Sequence, residues 1–204
     1  HFSEGSSAVD IFKSNNIVIN NSKFEDCSGK SSPVGFYGTV NDVEINGCEF
    51  YNTSSKELGG GAICSNGGNY LKIKDSYFEK CQAHTYGGAM DIYGVKDVNI
   101  IDCDFYECHT RLYDGGAVSS DSCTNVNILG CNFNSCQSNG FGGSIRVIDT
   151  KTLLNISDCN FSNSHSDADG GSVYCDKVPM VVIDNCDFSN SSSNLFMVLC
   201  YHKS

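Results

Sequence analysis

A repeat of 26 to 28 residues restricts the fold of this chain more than any other feature of its sequence. Ile stands five positions before the marker phenylalanine of each copy, Ile, Val or Leu stands seven before it, and Cys or Ser two before it. A repeat that keeps positions rather than whole segments indicates a stack of similar structural units. The seven markers are Phe24, Phe50, Phe78, Phe105, Phe133, Phe161 and Phe188.

The other half of the repeat opens with a glycine pair, which is followed by Ala or Ser and then by an apolar residue. Apolar residues alternate with a period of two on both sides of this pair, and no segment shows the 3.6-residue period of a helix. Short strands separated by turns are therefore expected throughout. The pairs are Gly60-Gly61, Gly87-Gly88, Gly115-Gly116, Gly142-Gly143 and Gly170-Gly171.

Short strands in a unit of 27–28 residues predict an all-β chain that forms a parallel β-helix, or solenoid, of about seven rungs. Each rung ends near its marker phenylalanine and stacks on the next at about 4.8 Å, which buries one continuous core. A β-sandwich also contains short strands, but it gives no reason for like residues to recur at a fixed spacing. Residues 1–204 are expected to form a single domain, either complete in itself or a segment of a longer solenoid.

The composition excludes some partners. The chain carries 13 Lys and Arg against 24 Asp and Glu, for a net charge of −11. It therefore offers no basic patch for nucleic acid. No uncharged apolar run reaches the roughly 18 residues that span a bilayer, so no membrane span is predicted. The chain opens without Met or a signal peptide, so a piece of a longer precursor is expected.

The glycine half of the repeat resembles the Gly-Gly-Ala-Ile motif of the polymorphic outer membrane protein repeats of chlamydiae, which have relatives among protist surface proteins. In that family the motif alternates with Phe-x-x-Asn. Here the final Asn is replaced by Cys, Thr or Ser, as in Phe105-Tyr106-Glu107-Cys108. The resemblance covers about residues 6–200. It implies a single-stranded, parallel, right-handed β-helix, in a Cys-rich variant, and an exposed role such as adhesion or display.

The 13 cysteines are an odd number, so at least one thiol is free or bonded outside the chain. Most lie in two inward-facing columns, where Cys alternates with Ser and Thr as a small buried side chain. This packing role is the favoured interpretation. The other is a pair of disulfides within single rungs, Cys103–Cys108 and Cys131–Cys136. No Cys-x-x-Cys motif occurs and the His residues are scattered, so no metal or cofactor is expected.

Five Asn-x-Ser/Thr sequons are candidate N-glycosylation sites, and such sites are used in secreted eukaryotic proteins. Asn160 precedes Phe161, so its side chain is expected to point outward if the phenylalanine points inward. The sequons begin at Asn20, Asn52, Asn155, Asn160 and Asn190.

Both ends of the chain are apolar and lack the polar cap of a solitary solenoid. We therefore expect them to meet either a second copy, head to tail in a filament, or flanking rungs of a longer solenoid. The candidate assembly residues are Val9, Ile11, Phe12, Leu195, Phe196, Val198 and Leu199.

These observations favour a non-enzymatic, extracellular structural or adhesive module of a cell-surface filament or fibre, with glycans or a host or cell-surface ligand as possible partners. The alternative is a carbohydrate-binding or polysaccharide-cleaving β-helix. Such a site requires two or three carboxylates with His, Arg or Lys on one face. Asp167 and Asp169, with His165 nearby, are the candidates. Asp in a turn before a glycine pair also has a purely structural explanation.

Overall fold

Three parallel β-sheets stacked along one axis form this protein. The computed structural model describes residues 7–38, 40–195 and 199–202, and no helix occurs within these ranges. One sheet has 13 strands and the other two have seven each. The all-β, parallel solenoid of seven rungs predicted from the sequence is confirmed.

Each rung supplies two segments to the 13-stranded long sheet, one to the Phe sheet that carries the marker phenylalanines, and one to the short-strand sheet. The first two rungs contain β1 (Val9–Phe12), β2 (Asn15–Asn20), β3 (Lys23–Glu25), β4 (Ser28–Gly29), β5 (Val34–Tyr37), β6 (Asn41–Asn46), β7 (Glu49–Tyr51) and β8 (Ser54–Ser55). In the third and fourth rungs the two long-sheet segments join into one strand: β9 (Ile63–Lys74), β10 (Tyr77–Glu79), β11 (Gln82–Ala83), β12 (Met90–Ile101), β13 (Asp104–Tyr106) and β14 (His109–Thr110).

The remaining rungs return to four strands each. The fifth and sixth contain β15 (Val118–Asp121), β16 (Asn125–Leu129), β17 (Asn132–Asn134), β18 (Gln137–Ser138), β19 (Ile145–Ile148), β20 (Leu153–Ser157), β21 (Asn160–Ser162) and β22 (His165–Ser166). The seventh contains β23 (Val173–Asp176), β24 (Met180–Asp184), β25 (Asp187–Ser189) and β26 (Ser192–Ser193). After it, β27 (Leu199–His202) pairs with β23 and continues the long sheet.

The register between rungs brings like residues together, as the repeat predicts. Phe78 pairs with Phe50 on one side and with Phe105 on the other. The marker rings stack along the axis with centroids 4.7–4.9 Å apart and interplanar angles of 9° or less. Such ring pairs contribute about 0.5–1.5 kcal/mol each beyond the burial of their area. The stack therefore forms a continuous aromatic spine inside the solenoid.

Each Phe-sheet strand has one corner before it and one after it, and both corners need a residue in the left-handed region. The corner before the strand is called the first corner. In the fourth rung the two corner residues are Asp102, with φ of 51°, and Glu107, with φ of 52°. Asn and Asp tolerate this conformation better than other non-glycine residues, which accounts for their abundance at the first corner.

The glycine pairs form a third corner, and each member has its own reason to be glycine. Gly87 has a φ of +60°. A Cβ added to Gly88 would overlap the carbonyl oxygen of Gly116 in the next rung. The first glycine therefore supplies the turn and the second permits the close approach of neighbouring backbones.

We expect Phe105→Ala to lower the free energy of unfolding by about 3–5 kcal/mol, because Phe105 is fully buried and stacks on a ring at each side. Phe188→Ala is the matched control, since Phe188 is only partly buried and stacks on Phe161 alone among the described residues. Urea unfolding followed by circular dichroism measures both. Equal losses would contradict a spine that is strongest at its centre.

Candidate functional site

The in-rung disulfides expected as an alternative are not formed in the structure. Cys103 and Cys108 lie on opposite sides of β13, whose three residues alone span about 10 Å. A disulfide requires Cα atoms about 4.4–6.8 Å apart. Cys131 and Cys136 flank β17 in the same way, and all four are free thiols. The extended strand between the members of each pair separates them.

The cysteines of the two columns instead pack at the corners as small donors. The Cys103 thiol donates to the carbonyl oxygen of Ile101, across the left-handed corner residue, with Sγ and O 3.2 Å apart. Ser76, one rung earlier, makes the same contact to the Lys74 carbonyl at 2.8 Å. A small side chain that donates is what this position requires, so Cys and Ser alternate in the column. The geometry supports the packing role.

Substitution in this column separates packing from sulfur chemistry. Cys131 is fully buried, so we expect Cys131→Ser to keep the fold with little loss of stability. Cys131→Leu overfills the core and should lower the free energy of unfolding by about 1–3 kcal/mol. Urea titration compares the two. Equal losses for both variants would mean that the sulfur itself is required.

Asp167 and Asp169, the acidic candidates from the sequence, both make contacts with neighbouring residues of the chain. The Asp167 carboxylate lies 3.2 Å from His165 Nε2 and accepts a hydrogen bond from the Asn194 amide at 3.1 Å. The main-chain carbonyl of Asp169 accepts hydrogen bonds from Ser166 Oγ and from the Gly142 amide. Across the part of the chain that is described, no three His, Cys, Asp or Glu side chains are grouped so as to hold a metal ion.

Four of the five sequon asparagines are exposed, namely Asn20, Asn52, Asn160 and Asn190, and Asn155 is partly buried. Asn160 points outward, as expected, and its amide donates to the Asn132 side chain of the preceding rung at 2.8 Å. The four exposed sites are open to a glycosyltransferase. Their glycosylation remains a prediction.

The candidate assembly residues that the structure describes lie at the two ends of the stack. Val9 and Ile11 pack against the core. The side chains of Phe12 and Leu195 are 62% and 63% exposed. The backbone of Leu199 pairs with Val173 as part of β27. Phe196 and Val198 lie outside the described residues.

A cluster of three carboxylates and one arginine, which the repeat does not predict, lies on the outer face of the long sheet. Arg146 Nε is 3.3 Å from the Asp114 carboxylate, and its Nη1 is 3.7 Å from that of Asp121. Nη1 also donates to Ser119 Oγ at 3.2 Å. The guanidinium carbon lies 5.1 Å from the centre of the Tyr86 ring, within cation–π range. Arg146 is thus surrounded by partners from neighbouring rungs.

Asp91, the third carboxylate, has the most strongly shifted pKa among the carboxyl groups of this cluster. Burial raises the pKa of Asp91 to about 7, Asp121 adds to the rise, and Arg146 opposes it. Burial also raises the pKa of Asp114, which the Phe141 amide and Arg146 oppose. One guanidinium cannot neutralise three carboxylates, so Asp91 is partly protonated near neutral pH.

This shift makes stability depend on pH. Between about pH 4 and 7 the folded state keeps the Asp91 proton that the unfolded state releases, so stability falls as pH rises through this window. We expect this group to cost on the order of 2–4 kcal/mol by pH 8. In Asp91→Asn the fall from pH 4 to pH 8 should be smaller by that amount. Urea unfolding at both pH values measures it.

The matched control is Asp187→Asn, which makes the same charge change on an exposed side chain. It should keep the pH dependence of the unsubstituted protein. If Asp91→Asn behaves like this control, Asp91 does not hold a proton in the folded state near neutral pH.

An open polar groove of about 630 Å³ runs along the corner between the Phe sheet and the short-strand sheet. Lys80 and Glu107 lie at the left-handed corner positions of their rungs. Gln82, His109 and Gln137 follow in register along the short-strand sheet. The complete lining is Asn52, Thr53, Ser54, Lys80, Gln82, Glu107, His109, Ser135 and Gln137. Four successive rungs therefore contribute to one groove.

The ionic groups of the groove are paired with each other. Lys80 Nζ lies 3.1 Å from Glu79 and 3.8 Å from Glu107. The His109 ring contacts the Gln82 amide. Burial lowers the pKa of His109, and Arg111 lowers it further, so the imidazole is neutral at pH 7. The groove is thus polar without a net charge that is free to attract an ion.

One outward column of the repeat marks the groove in the sequence. The residue four positions after each marker phenylalanine is the outward position of the short-strand sheet, and His109 and His165 both occupy it. In the first two rungs that position is Ser28 or Ser54, and longer polar side chains follow only from Gln82 onward. Lengthening of one outward column therefore marks the groove. The arginine cluster joins several different positions and has no comparable signal.

The fold places this chain among parallel β-helix proteins, and comparison gives the family. The family described as right handed beta helix region matches residues 7–166, which is most of the chain. The chain therefore belongs to this family, and its solenoid is right-handed. The family contains enzymes of the pectate lyase kind as well as proteins without catalytic activity. No curated protein and no solved structure matches the chain.

The described ranges contain strands and no helix, and so no helix that could span a membrane.

Proposed function

We propose that this chain is a non-enzymatic, extracellular module of a cell-surface rod or fibre, with a structural and adhesive role. The observation that supports it best is the uninterrupted stack, in which the aromatic spine runs through all seven rungs. Stacked rungs that contact only their neighbours make an extended body with long lateral faces. Such a body suits the display of a binding surface away from a cell.

The partners along the axis are a second copy of this chain, joined head to tail, or flanking rungs of a longer solenoid. Phe12 at one end and Leu195 at the other are largely exposed. Met180 and Val182, on the outer face of β24, are exposed as well. Strand edges with exposed apolar side chains favour pairing with further strands. These features support growth along the solenoid axis.

The resemblance to polymorphic outer membrane protein repeats supports the surface role. It rests on the five Gly-Gly-Ala/Ser segments and on the aromatic half of the repeat. Cys takes positions at the corners where Ser also fits, as in a Cys-rich variant of the kind found in protist surface proteins. The exposed sequons support an extracellular location and a glycoprotein.

A non-enzymatic role is supported by the state of the carboxylates. Asp114 and Asp121 are already paired with Arg146, and Asp167 is paired with His165. Successive rungs are nearly equal in length, so no inserted loop builds the walls of a substrate cleft. The alternative, a polysaccharide-binding or -cleaving site at Asp167 and Asp169, therefore has the weaker support.

Negative-stain electron microscopy of the protein, first without and then with reductant, tests axial assembly. We expect end-to-end fibres, and Leu195→Asp should shorten them because a charge at the end opposes apolar contact. Leu112→Asp is the control, since Leu112 is similarly exposed at 49% but lies on a lateral turn. Short separate rods that neither variant alters would contradict head-to-tail assembly.

The adhesive role needs its own measurement. Beads coated with the protein should adhere to cell surfaces, whereas beads coated with the urea-unfolded chain should not. Absence of adhesion by the folded protein would contradict the adhesive role, whatever the microscopy shows.

A further inference from the structure

The groove between the Phe sheet and the short-strand sheet has the shape of a site for an extended molecule. Its lining residues come from four successive rungs, so it is about 14 Å long at the rung spacing of about 4.8 Å. It runs parallel to the solenoid axis. Its outward column begins at Ser54, with Ser28 one rung before the groove. His165, paired with Asp167, lies one rung beyond its other end.

The groove offers side chains and not a free backbone edge. The main-chain N–H groups of Gln82 and His109 donate hydrogen bonds to the carbonyl oxygens of Thr53 and Cys81 in the preceding rungs. The amide of Gln137 is bonded to the Cys108 carbonyl in the same way. A peptide that binds by adding a strand needs unpaired main-chain groups at a sheet edge. The ligand must therefore be recognised by polar side chains.

The charge balance of the groove excludes ionic recognition as its main interaction. Lys80 is held between Glu79 and Glu107. Arg111, just outside the groove, donates to the Gln82 side-chain oxygen at 2.5 Å. The neutral His109 adds no charge at pH 7. Since the net charge of the protein is −11, a polyanion would also be repelled at long range.

Amides, an imidazole and hydroxyls remain as the groups that can contact a ligand. Gln137 is exposed and Gln82 and His109 are partly buried, all on one wall. Each of these groups both donates and accepts hydrogen bonds, as sugar hydroxyls do. Their repetition at the rung spacing suits a ligand that itself repeats along its length.

We propose that this groove binds an uncharged oligosaccharide lying parallel to the solenoid axis, with Gln137, His109 and Gln82 as the contacting side chains. The inference rests on the proposed adhesive function and names the chemistry of its ligand. It places sugar recognition on a different face from Asp114, Asp121 and Arg146.

Isothermal titration calorimetry against a panel of neutral β-linked oligosaccharides of glucose, xylose, mannose and galactose tests this proposal. Polygalacturonate and heparin serve as anionic probes, and a Ser- and Asn-rich peptide as a neutral non-sugar probe. We expect binding of at least one neutral oligosaccharide that does not weaken as salt is raised. Gln137→Ala should weaken it by about tenfold or more, which corresponds to loss of one or two hydrogen bonds.

Asn132→Ala is the matched control, because Asn132 is an exposed amide on the Phe sheet outside the groove. It should bind like the unsubstituted protein. Binding only of the anionic probes, binding of the peptide alone, binding of no probe, or equal affinity of Gln137→Ala and the unsubstituted protein would each overturn the proposal. Cell adhesion that survives in Gln137→Ala would overturn the sugar groove as the adhesive site and leave the proposed function standing. Adhesion absent from the unsubstituted protein would overturn the proposed function instead.

Discussion

The hydrogen-bonded register between rungs is the constraint on which the rest of this structure depends. Because the strands are parallel and paired like with like, a residue meets its own counterpart above and below. Phe105 therefore stacks on Phe78 and Phe133, and the corner at Asp102 is repeated at Asp75 and Asp158. The pairing therefore sets the positions of the core side chains, of the corner residues and of the outward side chains. Repeats of 26 to 28 residues keep this register, because the differences in length fall between the paired strands.

Much of the fold followed from the sequence because the core obeys this column rule. The marker phenylalanines and the isoleucines before them were placed correctly from spacing alone. The disulfide alternative failed because spacing along the chain does not show that an extended strand separates Cys103 from Cys108. The site features were harder to predict, since Arg146 contacts Asp114 and Asp121 from different positions of the repeat. Outer contacts of that kind have no period.

The solenoid thus divides its sequence between two tasks. Inward positions repeat and stabilise the stack, whereas outward positions are free to vary from rung to rung. The groove arises where one outward column lengthens to Gln82, His109 and Gln137, while the buried positions beside it stay small. A surface of this kind can change its ligand without altering the fold.

The Arg146 cluster also bears on how the chain finds its native state. Rungs that resemble one another could pair one whole repeat out of place and bury almost the same apolar area, which is a source of competing folds. Asp91, Ser119 and Arg146 occupy equivalent positions in three consecutive rungs but are chemically different. A shift by one repeat would separate Arg146 from Ser119 and from its carboxylate partners. The cluster therefore favours the native pairing of rungs over pairings shifted by one repeat, a choice that the repeated core alone does not specify.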